Sequence, residues 1–289
     1  MNTQDLLKKV RRIEIKTRRL SNHLFSGEYH SNFKGRGMAF SEVRKYEYGD
    51  DIRAIDWNVT ARLNEPYIKV FEEERELTLM LIVDISGSGS FGSKVQLKRE
   101  MITEICATLA FSAIQNNDKV GLILFSDQVE LFIPPKKGKT HTLRIIRELI
   151  EFQPKSTKTN ISEALRYFSG IQKKRAIAFV LSDFSDENYH DSLKIMARKH
   201  DVTGIRIYDP REEELPKLGL LPMRDLESQK IHWINTSSKK LREEIKMKFH
   251  KSFKYFQNAF LKSGAGQISI RIDESYTTKL LGYFKQKSA

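Results

Sequence analysis

The sequence predicts an α/β domain with a mostly parallel sheet flanked by helices, and three observations carry that expectation. Leu77 to Val83 is apolar at every position but Thr78, as a strand buried on both faces requires. Residues 94–114 then place Val95, Leu97, Met101, Ile102, Ile105 and Leu109 at helical spacing. The alternation of short apolar runs with helical periods continues to residue 208, the pattern of strands joined by crossover helices.

Taken in order, residues 3–20 read as a short basic helix with Leu6, Leu7, Val10 and Ile13 on one face. Residues 21–40, with Gly27, Gly35 and Gly37, read as a loop, and residues 41–76 are dense in charged and aromatic side chains around a Tyr48-Gly49-Asp50 turn. After the strand at 77–83 and the helix at 94–114, a strand is expected at 120–125. Ser126-Asp127 then turns into an antiparallel edge partner at 129–133. Further strands are expected at 176–181, 202–208, 231–234 and 267–272. Helices are expected at 140–151, 161–170, 188–199, 239–262 and 276–284, with Asn160 starting the second of these. Pro210, Pro216 and Pro222 mark 210–229 as a connection. The expected organisation is an N-terminal helix and charged arm over 1–76, the main domain over 77–235, and a basic helical extension over 236–289 packed on that domain.

The 289 residues suffice for one large α/β domain with an appendage. Net charge is +13, and 13 basic against 4 acidic residues fall within 228–289. Such a segment either meets an acidic partner, nucleic acid or anionic lipid, or is a solvated helix face. No nucleic-acid module accompanies it, so no specific nucleic acid is expected. The single cysteine, Cys106, lies in an apolar helical pattern and has no partner for a disulfide within the chain. Residues 1–12 lack a signal-peptide core, and no apolar run is long enough to span a bilayer. The expected location is the cytoplasm, with the basic segment allowing contact at a membrane surface.

In a parallel sheet, ligands bind beyond the carboxyl ends of the strands. Three oxygen-rich spots fall there: Asp84, Ser86 and Ser88 after the first strand, Thr159 with Thr157 before the helix at 161–170, and Asp183 after the strand at 176–181. Two carboxylates and neutral hydroxyls suit a hard cation such as Mg²⁺ or Mn²⁺ and leave it an open position, which a carboxylate from a protein client can fill.

Asp84-Ile85-Ser86-Gly87-Ser88, Thr159-Asn160 opening a helix, and Ser182-Asp183 after a later strand together resemble the metal-ion-dependent adhesion site of von Willebrand A domains. The resemblance implies a von Willebrand A-like, Rossmann-like fold. It also implies that Ser86 and Ser88 bind the metal directly, Thr159 directly or through water, and Asp84 and Asp183 mainly through water. Lys158 departs from the glycine often found before that threonine, which leaves Thr157 and Thr159 both open as the ligand. Upstream, Gly35-Arg36-Gly37-Met38-Ala39-Phe40, Arg44-Lys45-Tyr46, Gly49-Asp50-Asp51-Ile52-Arg53-Ala54-Ile55-Asp56-Trp57 and Ala61-Arg62 resemble the signature of the bacterial family catalogued as domain of unknown function fifty-eight. That likeness, over about residues 20–210, implies a MoxR-type AAA+ ATPase as partner and a non-enzymatic adaptor role. Arg44, Asp50, Asp51, Arg53, Asp56 and Arg62 are the candidate docking residues. The other reading of this block is an ion-pair network that clamps the arm, with Trp57, to the sheet domain.

Two rival functions remain. Gly87-Ser88-Gly89-Ser90-Phe91-Gly92 matches a dinucleotide-binding pattern between a strand and a helix, the context of a nucleotide-dependent enzyme. Against it, Asp84 would face a pyrophosphate. The second rival is a nucleic-acid or membrane binder using the basic C-terminal helix. The seven histidines show no metal-ligand spacing, and no catalytic constellation is found.

Overall fold

The computed structural model describes residues 11, 13, 39–72, 77–87, 98–224 and 231–288. They belong to two compact units, one within Ser31–Leu77 and the other from Thr78 onward together with the N-terminal segment. Of the expected helix at 3–20, only Arg11 and Ile13 are described, and both are helical. The remainder of that helix and most of the loop at 21–40 lie outside the described residues.

In the smaller unit, β1 (Ala39–Lys45) pairs antiparallel with β2 (Tyr67–Glu72), and α1 (Trp57–Leu63) lies between them in the chain. Asp56 starts α1 by accepting from the backbone N–H groups of Asn58 and Val59 at 3.0 and 3.3 Å. Asn64 ends it in a left-handed conformation (φ 55°), one that asparagine tolerates better than most residues. Asp51 likewise caps the 3₁₀ turn Ile52–Ala54. Asp51 and Asp56 therefore satisfy local backbone ends, which residue counting alone did not reveal.

The larger unit holds β3 (Thr78–Asp84), α2 (Lys98–Gln115), β4 (Lys119–Phe125), β5 (Val129–Lys136), α3 (Lys139–Glu151), α4 (Ile161–Ile171) and β6 (Ile177–Ser182). These are followed by α5 (His190–Lys199), β7 (Asp201–Tyr208), α6 (Pro210–Glu213), β8 (Leu220–Arg224), β9 (Ile231–Asn235), α7 (Lys239–Lys262), β10 (Gly266–Arg271) and α8 (Tyr276–Ser288). Six strands form one sheet in the order β10-β7-β6-β3-β4-β5. Every neighbouring pair is parallel except β4 with β5, so the expected antiparallel edge is present. The expected mostly parallel α/β fold is the fold observed.

Apolar patterning explains the layers. β6 is buried along its whole length, and β3, β4 and β7 along nearly all of theirs, as strands covered on both faces must be. Met80, Ile82, Ile123, Val180, Leu165, Phe168, Phe184 and Phe260 meet in one core. At about 25 cal/mol per Å², each such side chain contributes roughly 1.5–3 kcal/mol. Gly204 in β7 is needed for contact with α7: a Cβ there would lie 2.4 Å from Phe260 Cζ.

One expectation needs correction. The connection at 210–229 contains α6 and β8, formed because Asp209 and Glu212 make a reciprocal capping box around Pro210 and because Leu220–Arg224 pairs with β9. The strand at β9 accordingly belongs to a separate two-stranded sheet. Beyond residue 235, β10 pairs with β7 at the edge of the main sheet. The preceding helix, α7, buries Phe256, Ala259 and Phe260 against the core.

Candidate functional site

Strands β3, β6 and β7 are neighbours, and their carboxyl ends bring together residues distant in sequence. The register that pairs Val83 with Leu181 carries Asp84 alongside Ser182. Ser182 Oγ donates to Asp84 Oδ2 at 2.6 Å, and the backbone N–H of Ser86 donates to Asp84 Oδ1 at 2.9 Å. Asp84, Ser86, Ser182 and Asp183 are all buried. Burial, and then repulsion from Asp183, push the Asp84 carboxyl up to about 6.

The loop before α4 is bound to this corner by its backbone. The Gly87 N–H donates to the Thr157 carbonyl at 3.1 Å, and the Asn160 N–H to the Ser126 carbonyl at 2.9 Å. The Glu130 carboxylate fixes the same loop, accepting from Ser126 Oγ and from the N–H groups of Lys155 and Ser156. Asn160 caps α4 through Glu163 N–H, as expected, and Asp186 accepts from Ile161 N–H. Thr159 is half-buried in this loop. Of the five expected metal positions, Asp84, Ser86 and Asp183 converge at the strand ends, Thr159 lies in the attached loop, and Ser88 lies outside the described residues.

The structure adds a buried cation that the sequence reading missed. Lys98, the first residue of α2, is 1% exposed. Its ammonium lies 3.2 Å from Asp183 Oδ2 and forms a second ion pair with Glu212 of α6. Burial alone would lower the lysine pKa, but Asp183 and Glu212 outweigh it, so the net shift is upward and the group is charged. The signal was present: Lys98 precedes Met101, Ile102 and Ile105 by three, four and seven residues, on the buried stripe of the helix. Arg206 of β7 is also buried; its guanidinium stacks over Phe249 and Phe253 and donates to Ser252 Oγ at 3.0 Å.

These donors fit a hard divalent ion. Asp84 is a desolvated carboxylate beside a second carboxylate, an arrangement that a cation relieves, and the nearby hydroxyls are neutral oxygen donors. Among the described residues no three His, Cys, Asp or Glu side chains could hold an ion by themselves, so a bound ion would need hydroxyls and water as well. The dinucleotide reading fares worse. The one glycine of Gly87–Gly92 that is described, Gly87, already gives its N–H to Thr157 and is buried. The others lie outside the described residues.

In the smaller unit, Arg44 and Asp50 form a bidentate pair at 2.9 and 2.7 Å, and Lys69 lies 3.5 Å from Asp56. The Arg44 pair holds the Asp50 carboxyl below its ordinary range. Arg53 and Arg62 are exposed, as are Tyr48, Ile52, Leu63 and Trp57, the last at 68%. These ion pairs are made within the smaller unit.

Among solved structures, the chain is similar to an aerotolerance-related membrane protein from Bacteroides fragilis. That match has 18% identity and a TM-score of 0.47, and covers 73% of this chain and 99% of that one. It is also similar to the SpRpn10 VWA domain, with 12% identity and a TM-score of 0.40, covering 73% and 95%. Both likenesses concern fold alone. An uncharacterized protein of Mycobacterium tuberculosis is 28% identical over 222 residues, which is 76% of this chain and 70% of that protein. The uncharacterized protein YeaD of Bacillus subtilis is 28% identical over 109 residues, 38% of this chain and 25% of that one. The model of the family described as "Protein of unknown function DUF58" matches residues 42–254, and the chain belongs to that family.

Proposed function

We propose that this protein is a non-enzymatic, metal-dependent protein-binding module that serves a MoxR-type AAA+ ATPase as adaptor or client-recognition partner. The observation that carries the binding site is the buried Asp84–Asp183 carboxylate pair at adjacent strand ends, next to Ser86 and Ser182. In this reading Asp84, Ser86, Ser88, Thr159 and Asp183 surround Mg²⁺ or Mn²⁺. The ion supplies an attractive open position for one anionic oxygen. Ser182 and the Ser86 N–H orient Asp84, and the Gly87–Thr157 bond holds the loop bearing Thr159 against the same turn. A Glu or Asp of the client provides the completing oxygen. The ATPase as partner rests on the family resemblance. Its proposed docking face is the Arg44–Arg62 block, where Arg53, Arg62, Ile52 and Trp57 stand exposed.

The test is a binding titration of the full chain against the ATPase and its captured client, with and without chelator. Loss of the ion is expected to weaken client binding at least about tenfold, or ~1.4 kcal/mol, and Asp183→Ala to give the same loss without adding to it. Unchanged affinity under both treatments would remove the metal from the interaction and leave the Arg44–Arg62 face as the docking surface.

A further inference from the structure

We propose that Lys98 is a resident cation of this site and sets how tightly a divalent ion binds there, with Glu212 as its counterweight. This deepens the reading of the strand ends as a cation site and rests on it. A lysine ammonium taken out of water is costly unless carboxylates receive it. Here two do: Asp183 Oδ2 at 3.2 Å and Glu212, brought in by the capping box of α6. Asp183 is thereby shared. The carboxylate expected to face a bound metal already contacts a positive charge one hydrogen bond away.

The consequence is a pattern of signs. Among the described residues, Asp183 and Glu212 both pair with the Lys98 ammonium, Asp84 lies beside Asp183, and the buried Arg206 guanidinium also acts on Asp183 and Glu212. A divalent ion beside Asp84 and Asp183 is repelled by Lys98 and attracted by Glu212; Lys98 is buried and Glu212 half-buried, so screening is weaker than at an open surface. Removing the lysine charge leaves one more uncompensated anion and tightens metal binding. Removing the Glu212 charge leaves Lys98 to neutralise Asp183 alone and weakens it. Removing both restores the original balance. If Lys98 instead served only to hold Asp183 in place, losing it would weaken metal binding.

The experiment is calorimetric titration of the full chain with Mn²⁺, on wild type, Lys98→Gln, Glu212→Gln and the double variant. Lys98→Gln is expected to bind at least about tenfold tighter and Glu212→Gln at least about threefold weaker, with the double variant within about threefold of wild type. Melting in chelator supplies a second readout: Lys98→Gln melts lower than wild type, and Mn²⁺ restores more of its stability than it adds to wild type. Equal or weaker Mn²⁺ binding by Lys98→Gln, with wild type binding normally, would overturn the role of Lys98 while leaving the metal site standing. If Lys98→Gln does not fold, Glu212→Gln decides alone, and unchanged or tighter binding by it overturns the proposal. No Mn²⁺ binding by wild type or any variant would defeat both the metal reading and this inference.

Discussion

Ser182 Oγ donates to Asp84 Oδ2 at 2.6 Å, across 98 positions of sequence. The contact exists because β3 and β6 are hydrogen-bonded neighbours, and it spends a hydroxyl on orienting a carboxylate that burial would otherwise neutralise. Asp84 is therefore held in place but remains electrostatically strained, and this has a measurable consequence.

In the absence of metal, Asp84→Asn is expected to stabilise the protein at pH 8. The folded-state pKa of Asp84 is raised from 3.8 to about 6, so the folded form holds its proton more tightly than the unfolded form. The penalty is absent below pH 3.8, grows between 3.8 and 6, and is complete above 6. Urea denaturation in chelator is expected to show a gain of roughly 1–3 kcal/mol at pH 8 that shrinks toward zero near pH 4. An equal gain at both pH values would mean that Asp84 is not carrying a buried charge.

His200 works in the opposite direction. Burial first, then Lys199 and Arg175, lower its pKa from 6.5 to about 4, and its Nδ1 accepts the Ala176 N–H. Its contribution is present above pH 6.5 and is lost as pH falls from 6.5 toward 4. His200→Gln is expected to flatten that acid slope by about 2 kcal/mol, read from denaturation midpoints at pH 7 and pH 4.5. A wild-type slope unchanged in the variant would assign the acid sensitivity to other groups.

Gly204→Ala is expected to cost about 1–3 kcal/mol. The added methyl would meet Phe260 Cζ at 2.4 Å and Cε1 at 2.5 Å, and the Phe260 ring is packed against Phe184 and Phe256 with nowhere to turn. Urea unfolding checks it; a loss below about 0.5 kcal/mol would show that α7 can shift away from the sheet.

Trp57→Ser separates the two readings of the charged block. Trp57 is 68% exposed and Asp56 caps α1 without it, so stability is expected to change by less than about 1 kcal/mol. Affinity for the ATPase is expected to fall about tenfold, as for an aromatic anchor at an interface. A large stability loss with unchanged affinity would favour the clamp.

Much of the larger unit was legible because its signals are periodic. Leu79 to Val83 and Ile177 to Leu181 are short apolar runs, and Asn160 announces α4 through its cap. Asp84 and Asp183 were legible because strand ends are where a parallel sheet exposes polar groups. Lys98 was not, because a lysine is read as solvent-facing unless its place on the apolar stripe is weighed more heavily than its charge. Glu212 depends on α6, which Pro210 and Pro216 disguised as a loop. Strand β8 was hidden similarly by Pro222, and Ser182, quoted within the motif, gave no sign by spacing alone that it would bind Asp84.

The central claim is that Asp84, Ser86 and Asp183 help hold a divalent ion, and Mn²⁺-induced relaxation of bulk water tests it directly. Titrating Mn²⁺ into the full chain is expected to give an enhancement that saturates at one ion per chain and falls away with excess Mg²⁺. In the combined variant Asp84→Asn/Ser86→Ala that enhancement is expected to be lost while the fold survives by circular dichroism. Equal, saturable enhancement in wild type and variant, or none in wild type, would contradict the account.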